Sequence, residues 1–588
     1  MLNRYQFEVL RAHVENDNPT QRYIAKTTGL SLGSVNKAVK DLVARNLIDD
    51  DGCITDDGRK ALDFYRVDSA VILAAGAGTR FAPLSFERPK ALFEVRGEIL
   101  IERVIRQLQE VGIKRIAVVT GYMKESLFYL EDKFGVSIIV NPEYASRNNH
   151  SSIQYARHFI GNTYILSSDQ YYSENIFHTY CFQPYCSAMF CAGDTREQVL
   201  SLDKRGVVTS IEKGGSNAYV MQGPVYFDRA FSERYLDILD SVYNRPETKG
   251  KLWEDILAEH LRELPMHIEA FKPGVVTEFD FLTDLVAFDR DFFANVDSRI
   301  LDNICETLHC EREDITDVRP VKAGLTNLST KFAVNGETYI YRHPGNGTNE
   351  IINREAETFA LKTAKDLGLD DTFLYEQPEE GWKISRYIEG CNELDYTDYT
   401  QVKRALEMAR RLHESGRKSP YEFYFYDEAV KLIELLKADK FTFPRDFTPL
   451  SERIAKLAAL MREEMGEPVL CHNDFYGPNF LVKGNEMRLI DWEYAGMGDP
   501  MCDLGNFVAQ GSGYTVDQTL GILPLYFGRP ATPQEERHCL AAVAVVGWYW
   551  YVWAMYKESK GNPVGEWLYT WYRAAKSYSK AAEELYDK

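Results

Sequence analysis

The stretch CHNDFYGPNFLVKGNEMRLIDWEYAG, from Cys471 to Gly496, sets Asp474, Asn479 and Asp491 at the edges of apolar runs. Short apolar runs bounded by turn residues read as strands, so the chain must fold in a way that brings three strand-end polar groups together. Phosphoryl transfer from ATP asks for a residue that orients or accepts the proton of the attacking hydroxyl. It also asks for ligands to the Mg2+ ions bridging the phosphates. Asp474 is the candidate base, Asn479, five positions on, a metal ligand, and Asp491, closing the run MRLID, the second metal ligand. Singly, each is an ordinary cap or turn residue. Their joint spacing carries the information.

That spacing resembles the protein-kinase catalytic loop and its metal Asp. Upstream, AGLTNLSTKF, which includes Asn327, reads as a loop over phosphates, and YIYRHPG puts Arg342 where kinases use Lys. Arg342 keeps the charge and suits bidentate contact with phosphate. Glu355, in INREAE, is its expected partner, with Glu357 the less favoured choice. No activation-loop signature follows Asp491, which favours a small substrate. The aromatic segment WYWYVWAMY…EWLYTWY bears on which one. A quaternary ammonium cannot donate hydrogen bonds and is held on aromatic faces. Trp550 and Trp553 lie three apart on one helix face, and Trp571 or Tyr572 is placed to close a cage. An aromatic stripe is ordinarily core, and only the kinase context lifts these residues above that reading.

A second phosphate-handling stretch, VILAAGAGTRFAPLSFERPKAL, lies far upstream. Gly76 and Gly78, followed by Thr79, let the backbone approach a phosphate and cradle it with N–H groups. Arg80 and Phe81 stand where a dinucleotide fingerprint needs its third glycine. Arg80 and Lys90 add cations suited to a triphosphate and a pyrophosphate leaving group. Nucleotidyl transfer also needs a metal at the attacked phosphorus. Asp169, closing TYILSSD, and Asp280, in TEFDFLTD, are the candidate ligands.

The remaining text organises the chain. Residues 1–66 carry three amphipathic stretches and a wing-like segment, with Ser31 placed to cap the third helix and Asn36, Lys37 and Lys40 facing outward. Ten Lys/Arg are matched there by ten Asp/Glu, and Asp49, Asp50, Asp51, Asp56 and Asp57 surround the wing. Such a wing repels a DNA backbone, so a dimerisation or regulatory role stands beside DNA binding. Residues 67–295 alternate strands and helices, as an open, mostly parallel sheet does. Residues 296–588 begin with a hairpin and become largely helical, predicting a small sheet lobe and a helical lobe. A net charge of −20 disfavours broad attraction to nucleic acid or anionic membrane. Ten Cys without a Cys-x-x-Cys pair fit reduced thiols rather than disulfides or zinc. MLNRYQFEVL has no continuous apolar run of signal-peptide type, and the expected location is the cytoplasm, with Leu540–Tyr556 a buried helix rather than a membrane span.

Three resemblances add to these readings. Residues 1–66 resemble the MarR-like winged-helix family through LIDDDGCITDDGRKAL. Asp68 to about Asp289 is similar to bacterial phosphocholine cytidylyltransferases of the nucleoside triphosphate transferase family. The matching pieces are VILAAGAGTRFAPL, ERPKAL, YASRNNHSSI, SSDQYY and KLWEDIL. The resemblance implies that Gly76, Gly78, Thr79, Arg80, Lys90 and Asn149 serve CTP, that Asp169 and Asp280 hold Mg2+, and that Trp253 and Glu254 face an amino-alcohol head. Where that family often has a second acidic residue before the strand-end Asp, this chain has Ser167 and Ser168. Ser298 to Lys588 resembles bacterial choline kinases among the aminoglycoside-phosphotransferase-like kinases, through AGLTNLS, YRHPGNGT, INREAE, HNDFYGPN and IDWEYAGMGDPMCDLGN. The expected fold is a winged helix, a Rossmann-like α/β nucleotidyltransferase and an α+β bilobal kinase-like domain. The expected activity is choline phosphorylation followed by CMP transfer to phosphocholine. The alternatives are ethanolamine or another amino alcohol, or a regulator whose enzyme-like domains sense metabolites. A homodimer is compatible with either.

Overall fold

The computed structural model describes all residues except 17, 322–326, 346–351 and 562. Met1–Ile300 and Leu301–Lys588 form two compact units.

The first unit opens with α1 (Arg4–Glu15), α2 (Gln21–Thr28), α3 (Leu32–Ala44) and α4 (Asp56–Asp63). Each helix starts on a polar cap. Asn3, Thr20, Ser31 and Thr55 accept backbone N–H groups that the helix cannot satisfy itself. Val35, Ala38 and Leu42 make the buried face of α3, while Asn36, Lys37 and Lys40 are exposed. The Ile48–Ile54 bridge closes the wing. This domain does not close its core alone. Phe7, Leu10, Ile24, Leu42 and Tyr65 cluster with Tyr180, and the Tyr65 ring stacks on Phe182 at 5.6 Å.

A seven-stranded sheet follows, built from β1 (Ser69–Ala74), β2 (Arg115–Thr120), β3 (Ser137–Val140), β4 (Thr163–Ser167), β5 (Tyr185–Leu202), β6 (Val208–Phe227) and β7 (His267–Phe271). Its order is β7-β5-β6-β4-β1-β2-β3. β1 runs parallel to both β2 and β4, and every one of its residues is buried, which is why it reads as a continuous apolar run. Because β1 and β4 are parallel neighbours, the glycine loop after β1 and Asp169 after β4 emerge at the same sheet edge, where open α/β sheets bind ligands. The pair Gln170–Tyr172 and Val276–Glu278 brings the segment before Asp280 to that edge.

In the second unit β8 (Ile315–Pro320), β9 (Asn327–Val334), β10 (Glu337–Pro344), β11 (Phe373–Gln377) and β12 (Trp382–Arg386) form an antiparallel sheet of order β8-β9-β10-β12-β11. The helix Arg354–Asp366 and a helical lobe complete it. The helix Pro533–Ser559 is long and apolar enough to cross a membrane, but it is the core of this lobe, buried on nearly all sides. That burial explains its lack of a polar face. All ten cysteines are free thiols.

Candidate active sites

At the sheet edge of the first unit a cleft of about 730 Å3 is lined by Arg80, Gln170, Trp253, Glu254, Glu278 and Asp280 among others. Gly78 holds φ +59°, a left-handed conformation in which any side chain is strained, and starts the short turn Thr79–Phe81. Gly76 has open space where a side chain would stand. Lys90 is ion-paired with Asp169, and Arg80 Nη1 lies 3.0 Å from Asp280 Oδ1. The structure therefore brings together both expected cations and both expected carboxylates. Asp169 Oδ1 is buried with no hydrogen-bond partner, an oxygen free to take a ligand. Glu278, which spacing did not single out, joins them. Burial, with Asp169 and Asp280 nearby, pushes its carboxyl up to about 8.

Asn149, expected at the nucleotide, is used elsewhere. Its Oδ1 accepts the Trp253 N–H at 2.8 Å and its Nδ2 donates to Glu254 at 3.3 Å, bracing the start of the helix Trp253–Glu259. Trp253 also borders the cleft, but its ring is largely buried and lies edge-on to Phe227 in the core. Glu254 lines the cleft and forms no ion pair among the described residues, and burial raises its carboxyl to about 7.

In the second unit the strand Val469–Cys471 delivers the catalytic loop, and the hairpin Phe480–Lys483 with Glu486–Leu489 delivers Asp491. Asn473 and Asp491 both adopt left-handed backbone, at φ 63° and 69°. Backbone strain of this kind persists where the surroundings over-determine it. At Asn473 it is Asp503 that does so, accepting the N–H groups of His472 at 2.9 Å and Asn473 at 2.7 Å, while His413 Nε2 sits 2.9 Å from its carboxylate. Asn479 Nδ2 donates to Asp474 Oδ2 at 2.8 Å, and Gln510 Nε2 donates to Asp474 Oδ1 at 2.7 Å. Burial, reinforced by Asp491, pushes the Asp474 carboxyl up to about 8 against those two bonds.

Carboxylate oxygens of Glu357, Asp491 and Glu493 lie within 4.8 Å of one another, an arrangement that suits a divalent cation. Arg342 corrects the expected pairing. Its partner is Glu357, by a two-pronged contact at 2.5 and 2.8 Å, and it also reaches Glu376 at 3.0 Å and Glu493 at 2.9 Å. Glu355 instead faces solvent and bonds the Tyr421 hydroxyl. Residues two positions apart on a helix point about 200° apart, so only one of Glu355 and Glu357 faces the sheet. Asn327 Nδ2 donates to Glu493. Most of the proposed phosphate loop before it, AGLT, lies outside the described residues.

Trp550, Trp553 and Trp571 do come together, with ring centroids 5.6, 5.7 and 6.1 Å apart. They meet as packed rings rather than as an open cage. Trp550 Nε1 donates to Asn506, whose Oδ1 also accepts from Gln510, so a hydrogen-bond chain links the aromatic cluster to Asp474. Tyr572 is corrected out of the cluster, since its hydroxyl bonds Asp446 and its ring lies on Tyr551. Trp567, stacked on Trp571 at 5.4 Å and edge-on to Tyr476 of the catalytic loop, takes that side instead.

With this geometry in place, the comparisons with known proteins divide along the chain. The MarR family model matches residues 2–52, the MobA-like NTP transferase domain residues 70–204, and the phosphotransferase enzyme family residues 317–533. A 2-aminoethylphosphonate cytidylyltransferase of Lancefieldella rimae is 36% identical over 230 residues, covering 38% of this chain and 93% of that protein. A choline-phosphate cytidylyltransferase of Streptococcus pneumoniae is 29% identical over 215 residues, covering 37% and 94%. Among solved structures, choline kinase LicA from Streptococcus pneumoniae is 25% identical, covering 48% of this chain and all of that one, with a TM-score of 0.42. Through its nucleotidyltransferase domain, set between a MarR-like winged helix and a phosphotransferase-like domain, this chain belongs to the NTP transferase family that contains the 2-aminoethylphosphonate and choline-phosphate cytidylyltransferases.

Proposed function

We propose that the chain is a bifunctional enzyme that phosphorylates choline with ATP and then transfers CMP from CTP to the phosphocholine, releasing pyrophosphate. The observation that carries this reading is the occurrence, on one chain, of two separate anion-handling sites whose chemistries are consecutive. Asp474, held by Asn479 and Gln510, has the environment of a base for a substrate hydroxyl. Lys90 and Arg80 beside the glycine loop suit a nucleoside triphosphate and its leaving group. The relative from Streptococcus pneumoniae is named for choline phosphate, the product that a choline kinase makes.

Mg2+ is the metal proposed for both sites. Asp491 and Asn479, with Glu493 beside them, would hold it in the kinase, and Asp169 and Asp280 in the transferase. When bound, it neutralises charge on the phosphates. Lys90 and Arg80 orient the triphosphate by their charge, and Asp474 takes the proton of the attacking hydroxyl.

A second reading, the same two steps on ethanolamine, is favoured by Glu254. A half-buried carboxylate with no ion-pair partner among the described residues suits an ammonium that can donate N–H bonds, and the 36% identical relative is named for an aminoethyl substrate. Phosphorus NMR of the purified chain with Mg2+, ATP, CTP and either choline or ethanolamine decides. Phosphocholine followed by CDP-choline is the expected result. The ethanolamine products alone would establish the second reading, and neither pair of products would overturn both.

A further inference from the structure

Trp550, Trp553 and Lys557 recur along one face of the long helix Pro533–Ser559. Trp550 is joined through Asn506 and Gln510 to Asp474 and lies edge-on to Tyr494 at 5.3 Å, so this face borders the kinase site. Lys557 is only 9% exposed. Its Nζ lies 5.3 Å from the centroid of the Trp553 ring, and it has no hydrogen bond or ion pair among the described residues. Burial lowers its pKa, with Glu493 acting in the opposite sense. A lysine on an ordinary core helix carries its ammonium out to water along its flexible stem. This one lodges on an indole instead, and the face it covers is the feature by which a protein binds a cation that cannot donate hydrogen bonds.

We propose that Lys557 is a specificity residue of the kinase acceptor site, its ammonium resting on Trp553 where the onium group of an acceptor must displace it. The proposal rests on the kinase reading above. A quaternary ammonium relies on aromatic faces alone and competes directly with Lys557. A primary ammonium has N–H donors that carboxylates and amides satisfy, and it depends less on the indole. Lys557 therefore biases the site away from choline and towards acceptors with N–H groups.

The test is steady-state kinase kinetics of the full chain with choline and with ethanolamine, for wild type, Lys557→Gln, Lys557→Met and Lys557→Arg. Removal of the cation is expected to lower the choline KM about two- to thirtyfold, the worth of one cation–π contact. The change should appear in KM rather than kcat and be smaller for ethanolamine. Lys557→Arg should keep the wild-type KM, and Trp553→Leu combined with Lys557→Gln should lose the gain. A choline KM that is unchanged or raised in the folded Gln and Met variants would overturn the proposal. Should the wild type phosphorylate neither compound, the kinase reading fails on its own, and choline binding followed by tryptophan fluorescence still decides about Lys557. Tighter binding in Lys557→Gln supports the proposal, and equal or weaker binding overturns it.

Discussion

Asp474 and Arg342 show how differently two polar residues are specified. Asp474 meets Asn479 because both belong to one tight loop, so their spacing alone announces the contact. Asp474→Asn keeps the shape and removes the proton acceptor. Choline phosphorylation is expected to fall about 10²–10⁴-fold, with CMP transfer to added phosphocholine retained, both measured by product formation. Arg342 finds Glu357, Glu376 and Glu493, which are distant in sequence or ambiguous on their helix. Glu357→Gln strips a fully buried carboxylate from Arg342, Arg354 and Lys383 and is expected to cost on the order of 3 kcal/mol in urea unfolding. Glu355→Gln, on the exposed side, should stay within about 0.5 kcal/mol of wild type.

Among elements, the long helix of the second unit organises the most. Its His538 sits 2.6 Å from Asp499 and 3.5 Å from Glu464, tying the helix to the loop that precedes the helix Met501–Ala509. Burial opposes the protonated ring, but the two carboxylates outweigh it and raise the His538 pKa above its ordinary value. A raised folded pKa adds stability that is complete below the unfolded value, about 6.5, and is lost as pH rises through the folded one. The stability excess of wild type over His538→Gln is therefore expected to narrow as pH rises above about 6.5. Urea midpoints across that range measure it, and an excess independent of pH would contradict the pairing. The same helix carries the tryptophans, and its all-round burial is why an aromatic pattern alone could not tell cage from core.

For the whole molecule, each proposed site has its own base or cations and its own carboxylates, so the two reactions should separate. Asp169→Asn is expected to abolish most CMP transfer while phosphocholine accumulates. A mixture of folded Asp169→Asn and Asp474→Asn chains should again convert choline to CDP-choline. Loss of CMP transfer to added phosphocholine in Asp474→Asn would mean that the sites are not independent. The winged helix is less separable than its sequence suggests, since Tyr180 and Phe182 of the transferase domain complete its core. Removing residues 1–66 leaves those aromatic faces uncovered.

The chain's own pattern determined the order of folds, the glycine loop, the strand-end Asp169, the Asp474–Asn479 pair and the cap at Ser31. Each of these depends on contacts within a few residues or on one element's periodicity, which amino-acid type and spacing encode directly. Tertiary structure decided which glutamate serves Arg342 and that Glu278 and Gln510 enter the sites. It also decided that Asn149 braces the Trp253–Glu254 turn, that Tyr572 leaves the aromatic cluster, and that Lys557 covers Trp553. These are pairings across many residues, set by which faces of packed elements meet. The same local sequence is compatible with several such pairings, and only burial of the whole core selects one.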